Sequence, residues 1–185
     1  LFYLGIAGLG IALLVPAIQA YYLGLPKDLV SPEGDIRLAL PAGWEECHED
    51  QGASYARLQA SAPLEDLYVC VYSEQREDVS GMTLDKYAEI VRNLLVQELS
   101  PSAGTPPSVT VPKRLVLNNS PAVQCEIRGS INQANLVFLH TVIETPTTYY
   151  QIRVWTTVSK YRSHAEELKA IVAQCQCKGI ESGRK

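Results

Sequence analysis

Three histidines and five cysteines are the residues of this 185-residue chain best suited to nucleophilic, acid–base or metal chemistry, and their spacing assembles none of the familiar sites. His48 lies in Glu45-Glu46-Cys47-His48-Glu49-Asp50, which holds carboxylates, a thiol and an imidazole. These are metal-ligand types, but ligation needs convergent side chains, and a contiguous acidic run reads as a solvated loop or strand end. His140 interrupts a strand-like run after Leu136-Val137-Phe138-Leu139 and reads as a satisfied or solvent-facing strand histidine; His164 stands in no motif. The cysteines form no Cys-x-x-Cys pair. Cys175 and Cys177 are too close in sequence for an ordinary mutual disulfide and too few for a zinc site. Cys125 alternates with Val123 and Ile127, as a small buried apolar residue would. In an oxidising compartment Cys47 or Cys70 could bridge to a neighbour. There is no Gly-x-Ser-x-Gly, no phosphate-cradling glycine loop and no His-Glu-x-x-His. The expectation is a protein without catalysis, and the residues name no catalytic, cofactor-binding or metal-binding position. A hydrolase built around Cys47 and His48 is the remotest alternative.

The elements that would position any site begin with an uncharged stretch. Residues 1–26 carry no charged side chain, and Lys27 and Asp28 are the first. As a helix, Leu1 to Gly24 would run about 36 Å, enough to cross a hydrocarbon core of about 30 Å with some tilt. Leu1, Phe2, Ile6, Leu9, Ile11, Leu13, Leu14 and Ile18 would face lipid, and Tyr21 and Tyr22 fall where an interfacial aromatic belt belongs. Residues 1–25 are therefore expected as a transmembrane helix, making the protein single-pass with the bilayer as one partner. The competing reading is a secretory signal with an apolar centre at Leu4 to Val15 and cleavage near Ala20.

Residues 26–34 read as a linker, 35–177 as one domain and 178–185 as a flexible tail. All the charge lies beyond residue 26 and sums to −4 without a Lys/Arg cluster, so nucleic acid is not an expected partner. Ile36, Leu38 and Leu40 alternate as in a half-buried strand, broken by Pro41-Ala42-Gly43-Trp44. Ala53 to Ala60 reads as a short strand, and Leu67 to Ser73 as a strand covered on both faces. Thr83 caps a helix whose apolar stripe runs through Leu84, Tyr87, Ala88, Val91, Leu94 and Leu95. Four strand-like runs follow, Val109 to Leu117, Ala122 to Gly129, Asn135 to Thr145 and Tyr149 to Ser159, joined by short turns that favour antiparallel pairing. A closing helix is expected from Ser163, with Glu166 completing a capping box. Strands in blocks rather than in regular alternation with helices indicate α+β, with a mostly antiparallel sheet and both helices packed on it.

The order of these elements, with particular residues, resembles the PsbP and DcrB fold family. The opening strand followed by Pro41-Ala42-Gly43-Trp44 matches the family's strand and Pro-x-Gly-Trp. Thr83-Leu84-Asp85-Lys86-Tyr87-Ala88 is similar to the start of its middle helix, and Leu117-Asn118-Asn119-Ser120-Pro121-Ala122 to its strand and turn before Pro-Ala. Tyr149-Tyr150-Gln151-Ile152-Arg153-Val154 resembles its penultimate strand, and Tyr161 ahead of Ala165-Glu166-Glu167-Leu168 its closing helix. Gln174-Cys175 departs from the Ser-Phe often found at that helix end. The resemblance implies an α/β/α sandwich in which Pro41, Gly43, Trp44, Tyr87, Tyr150 and Tyr161 specify the fold. It also implies a noncatalytic role without a cofactor: an accessory or assembly subunit of an integral membrane protein complex, most specifically a photosynthetic one in the thylakoid. The alternative it implies is a cell-envelope protein holding a small apolar ligand or a lipid.

Overall fold

The structure, a computed structural model, describes residues 25–47, 55–101 and 104–179. Its elements in chain order are β1 (Lys27–Val30), β2 (Ile36–Leu40), β3 (Glu45–Glu46), β4 (Leu58–Ala62), a 3-10 turn (Pro63–Glu65), β5 (Leu67–Gln75) and α1 (Leu84–Glu98). They continue with β6 (Ser108–Val109), β7 (Lys113–Leu117), β8 (Ser120–Ile131), β9 (Ala134–Glu144), β10 (Thr148–Thr157), α2 (Val158–Gln174) and β11 (Gln176–Cys177). Eight strands form one sheet in the order β3-β4-β5-β10-β9-β8-β6, with β7 also on β8; β1, β2 and β11 form a second, smaller sheet. Every pairing is antiparallel. The mixed α+β class with a mostly antiparallel sheet and two helices is as the sequence indicates.

Local chemistry explains the tight connections. Asn118 and Asn119 both adopt positive φ, as do Asn132 and Gln133, so the β7–β8 and β8–β9 hairpins turn in two residues. Gly43 at φ +89 lets the chain leave β2 sharply and turns Trp44 inward, where it is 1% exposed and donates from Nε1 to Glu167 Oε1 at 2.9 Å. Ile36, Leu38, Leu40 and Trp44 join Leu58, Val69, Val71, Ile152 and Val154 of the large sheet and Leu168, Ile171 and Val172 of α2 in one core.

Four expectations are corrected. Residues 26–34 are no linker: Lys27–Val30 is strand β1, paired with β2 from Lys27↔Leu40 to Val30↔Arg37, a run too short to show its alternation in sequence. The strand expected at Ala53 to Ala60 is β4 at Leu58–Ala62; Tyr55 is exposed, and the small residues of β4 are held by pairing with β5 rather than by propensity. The run Val109 to Leu117 is split into β6 and β7 around Pro112, which has no N–H for the ladder. The last helix starts at Val158, with Thr157 as N-cap residue. Ser163 lies inside it and donates to the Lys160 carbonyl at 2.9 Å, while Glu166 pairs with Lys169.

The tail is partly held as well. The Lys178 N–H bonds to the Asp35 carbonyl at 2.8 Å, and the Tyr150 hydroxyl lies 2.5 Å from the Lys178 carbonyl. Among the described residues no helix is long and apolar enough to cross a membrane. The span expected from Leu1 to Gly24 lies outside those residues.

Candidate ligand-binding cleft

Alternate residues of the long strands face α1, and the register lines them up across the sheet. Cys125 on β8 pairs with His140 on β9, His140 with Arg153 on β10, Arg153 with Cys70 on β5, and Cys70 with Gln59 on β4. In the neighbouring row Phe138, Trp155 and Tyr68 are paired in turn. Their rings form a floor, with Tyr68 and Trp155 stacked at 5.3 Å and Phe138 and Trp155 at 5.6 Å between centroids.

Helix α1 covers only part of this face. Leu84, Tyr87, Ala88 and Val91 pack on Val123, Val142 and Tyr149, and Leu95 with Leu99 on Cys125, Ile127, Leu136 and Phe138. The helix therefore lies over β8 and β9, and the flank built by β4, β5 and β10 is left as a cleft of about 520 Å³, floored by the three rings and edged by Leu95 and Glu98. That volume is in the range of small-molecule sites, which combine apolar walls with a few placed polar groups.

Polar groups in the cleft are held by a chain of hydrogen bonds. Arg153 Nη2 donates to Gln151 Oε1 at 3.2 Å, Gln151 Nε2 to the Tyr87 hydroxyl at 3.0 Å, and Tyr87 to Glu74 Oε2 at 2.9 Å. The Arg153 guanidinium also sits over the Tyr72 ring, 4.8 Å from its centroid. Burial, with the neighbouring Cys70, pushes the Tyr72 phenol up to about 12. The Cys70 thiol is likewise pushed by burial up to about 11, so it is protonated at neutral pH and a poor nucleophile. Cys47 donates its thiol to Ser61 Oγ at 3.2 Å.

His140 is 2% exposed, and its Nε2 has no hydrogen-bond partner. Burial, then the charges of Arg153 and Arg92, push it down to about 3. It borders a smaller cavity of about 280 Å³ on the other flank of α1, together with Arg92 and Cys125. A histidine held neutral there is neither a cation nor one of a ligand set: among the described residues no three His, Cys, Asp or Glu side chains could hold a metal ion. Of the acidic run, Glu45, Glu46 and Cys47 are described, the first two as strand β3, while His48, Glu49 and Asp50 lie outside the described residues. His164 faces Glu167 at 3.1 Å and Glu65 at 3.4 Å on the surface of α2. Cys175 and Cys177 share a hydrogen bond between their sulfurs, 3.6 Å apart, and all five cysteines are free of disulfides.

The residues expected to specify the fold are spread over the molecule. Tyr87 stacks on Tyr149 at 4.4 Å beneath α1. Tyr150 reaches Asp35 at 2.9 Å on the opposite side, where Asp35 also accepts from Ser31 and Arg57. Tyr161 donates to Glu126 at 2.5 Å, and Trp44 closes the α2 core. The cleft itself was missed. Leu67 to Ser73 reads as covered on both faces, but Tyr68 and Tyr72 are only half-buried. The signal was there in the alternation: Tyr68, Cys70 and Tyr72 on β5, and Gln151, Arg153 and Trp155 on β10, alternate with the apolar Leu67, Val69, Val71, Ile152 and Val154.

No family model matches the chain, and no curated protein matches it in sequence. In structure it is similar to cyanobacterial PsbP (CyanoP) from Synechocystis sp. PCC 6803, at a TM-score of 0.61 and 9% identity, over 83% of this chain and 93% of that one. It is also similar to LpqN, involved in cell envelope biogenesis of Mycobacterium tuberculosis, at a TM-score of 0.58 and 11% identity, over 82% of this chain and 89% of that one. At such identities the likeness is one of fold, and the fold is PsbP-like.

Proposed function

We propose that this chain is a non-enzymatic accessory protein that holds a small, largely apolar ligand in the cleft beside α1, and that residues 1–26 tether it to a membrane. The observation that carries the reading is the cleft of about 520 Å³, floored by Tyr68, Trp155 and Phe138 on a face that α1 leaves half-open. The similarity to LpqN favours a place at the cell envelope. The test is to extract the full-length tagged protein from its native membranes in mild detergent and identify small molecules released on denaturation. A molecule recovered near one per protein, and lost in Trp155→Ala, supports the reading; a protein recovered empty overturns it.

A second reading is an accessory or assembly subunit of a larger membrane protein complex, most specifically a photosynthetic one in the thylakoid. The similarity to a cyanobacterial PsbP is what favours it. Co-migration with such a complex on a native gel supports this reading, and migration as a free species removes it. Recovery from the soluble fraction would remove the tether from both.

A further inference from the structure

Among the described residues, Arg153 is the one cationic side chain lining the cleft. Its guanidinium is charged at any physiological pH, and it is half-buried, where a cation partly withdrawn from water is normally matched by a carboxylate. Here it is not. Its Nη2 donates to the neutral Gln151, its face rests on Tyr72, and its buried Nε–H has no hydrogen-bond partner. The carboxylate in its hydrogen-bond chain, Glu74, is reached only through Gln151 and Tyr87. Glu45 and Glu98 also line the cleft, but neither is ion-paired with Arg153. The arrangement is a fork of donors with an unused member, set beside a flat floor of three rings whose neighbouring planes are inclined by 14° and 28°.

We infer that the cleft takes a single carboxylate carried on a flat apolar body. The carboxylate accepts hydrogen bonds from the Arg153 guanidinium. The body lies on the Tyr68–Trp155–Phe138 floor and displaces water from it. Gln151 and Tyr72 hold the guanidinium in place. This identification rests on the reading of the cleft as a ligand site and adds the chemistry that selects the ligand.

The probes are naphthalene-2-carboxylate and its uncharged isostere naphthalene-2-carboxamide, titrated by calorimetry into the full-length protein in phosphatidylcholine nanodiscs. The carboxylate is expected to bind at least about tenfold more tightly than the amide, with Arg153→Met bringing the two within about twofold. Arg153→Lys, which keeps the charge without the planar fork, should retain part of the preference; it decides the matter if Arg153→Met fails to fold. Equal binding of both probes by the native protein, or an undiminished preference in Arg153→Met, overturns the carboxylate inference and leaves the cleft reading standing. Binding of neither probe overturns both.

Discussion

The two faces of the large sheet are built by the same strands and have opposite characters. Toward α2, residues Leu67, Val69, Val71, Ile152 and Val154 have no exposed surface, and β1, β2 and Trp44 complete a closed apolar core. Toward α1, the intervening positions hold Cys70, Gln151, Arg153 and Gln59, beside a floor of rings of which Tyr68 and Trp155 are half-buried. The reason is one of width. A helix about 10 Å across can cover about two strands spaced about 4.8 Å apart. On the α2 side the small sheet covers what the helix does not, whereas among the described residues no element does so for β4 and β5 on the α1 side. The closed apolar core thus lies on one face, and the other carries polar and aromatic groups in a recess beside α1.

The contrast can be broken most severely at Trp44. Trp44→Ala removes a fully buried ring and its bond to Glu167, and should cost about 3–5 kcal/mol in urea denaturation; a loss below about 1 kcal/mol would show that the α2 face is not the dominant core.

His140 gives a pH-dependent counterpart on the α1 face. Its folded value near 3 lies below the 6.5 of an unperturbed histidine, so its contribution to stability is fully present above pH 6.5. Below that the unfolded chain binds a proton that the folded one refuses, and stability should fall by roughly 1 kcal/mol per pH unit down to about pH 3. Denaturation curves at several pH values should show this slope in the native protein and its absence in His140→Leu, against the carboxylate background common to both.

Tyr150→Phe tests the polar end of the α2 side. It leaves the buried Asp35 without one of its three hydrogen-bond donors, and should cost about 1–3 kcal/mol, read as a shift of the denaturation midpoint at unchanged slope. The smallest effect belongs to the cleft. Tyr68→Ala loses one stacked ring from a half-open surface and should cost about 1 kcal/mol or less. A loss as large as that of Trp44→Ala would mean that the floor is core and not a site.

Much of the fold was legible in sequence because its signals are local. Thr83 accepts a bond from the Lys86 N–H at the start of α1, as its position before Leu84 indicates, and the paired asparagines at 118 and 119 turn where a hairpin needs positive φ. What escaped depended on contacts made far along the chain. Lys27–Val30 is a strand because β2 offers it a partner, and the register of β4 follows from β5. Val158 and Ser159 continue the alternation of β10 yet begin a helix, where β10 ends at Thr157 and the chain turns back across the sheet.

The sequence by itself determined the α+β class, the two helices and the mostly antiparallel pairing of the long strands, because periodicity, capping and turn residues act over a few neighbouring positions. It also set apart the uncharged first 26 residues. Only the tertiary structure decided that Cys70, His140 and Arg153 would stand in one row and that three rings from β5, β9 and β10 would form a floor. Those residues lie on separate strands, and cross-strand register, which brings them together, is set by the pairing of whole strands and by which of their two faces is buried against a helix.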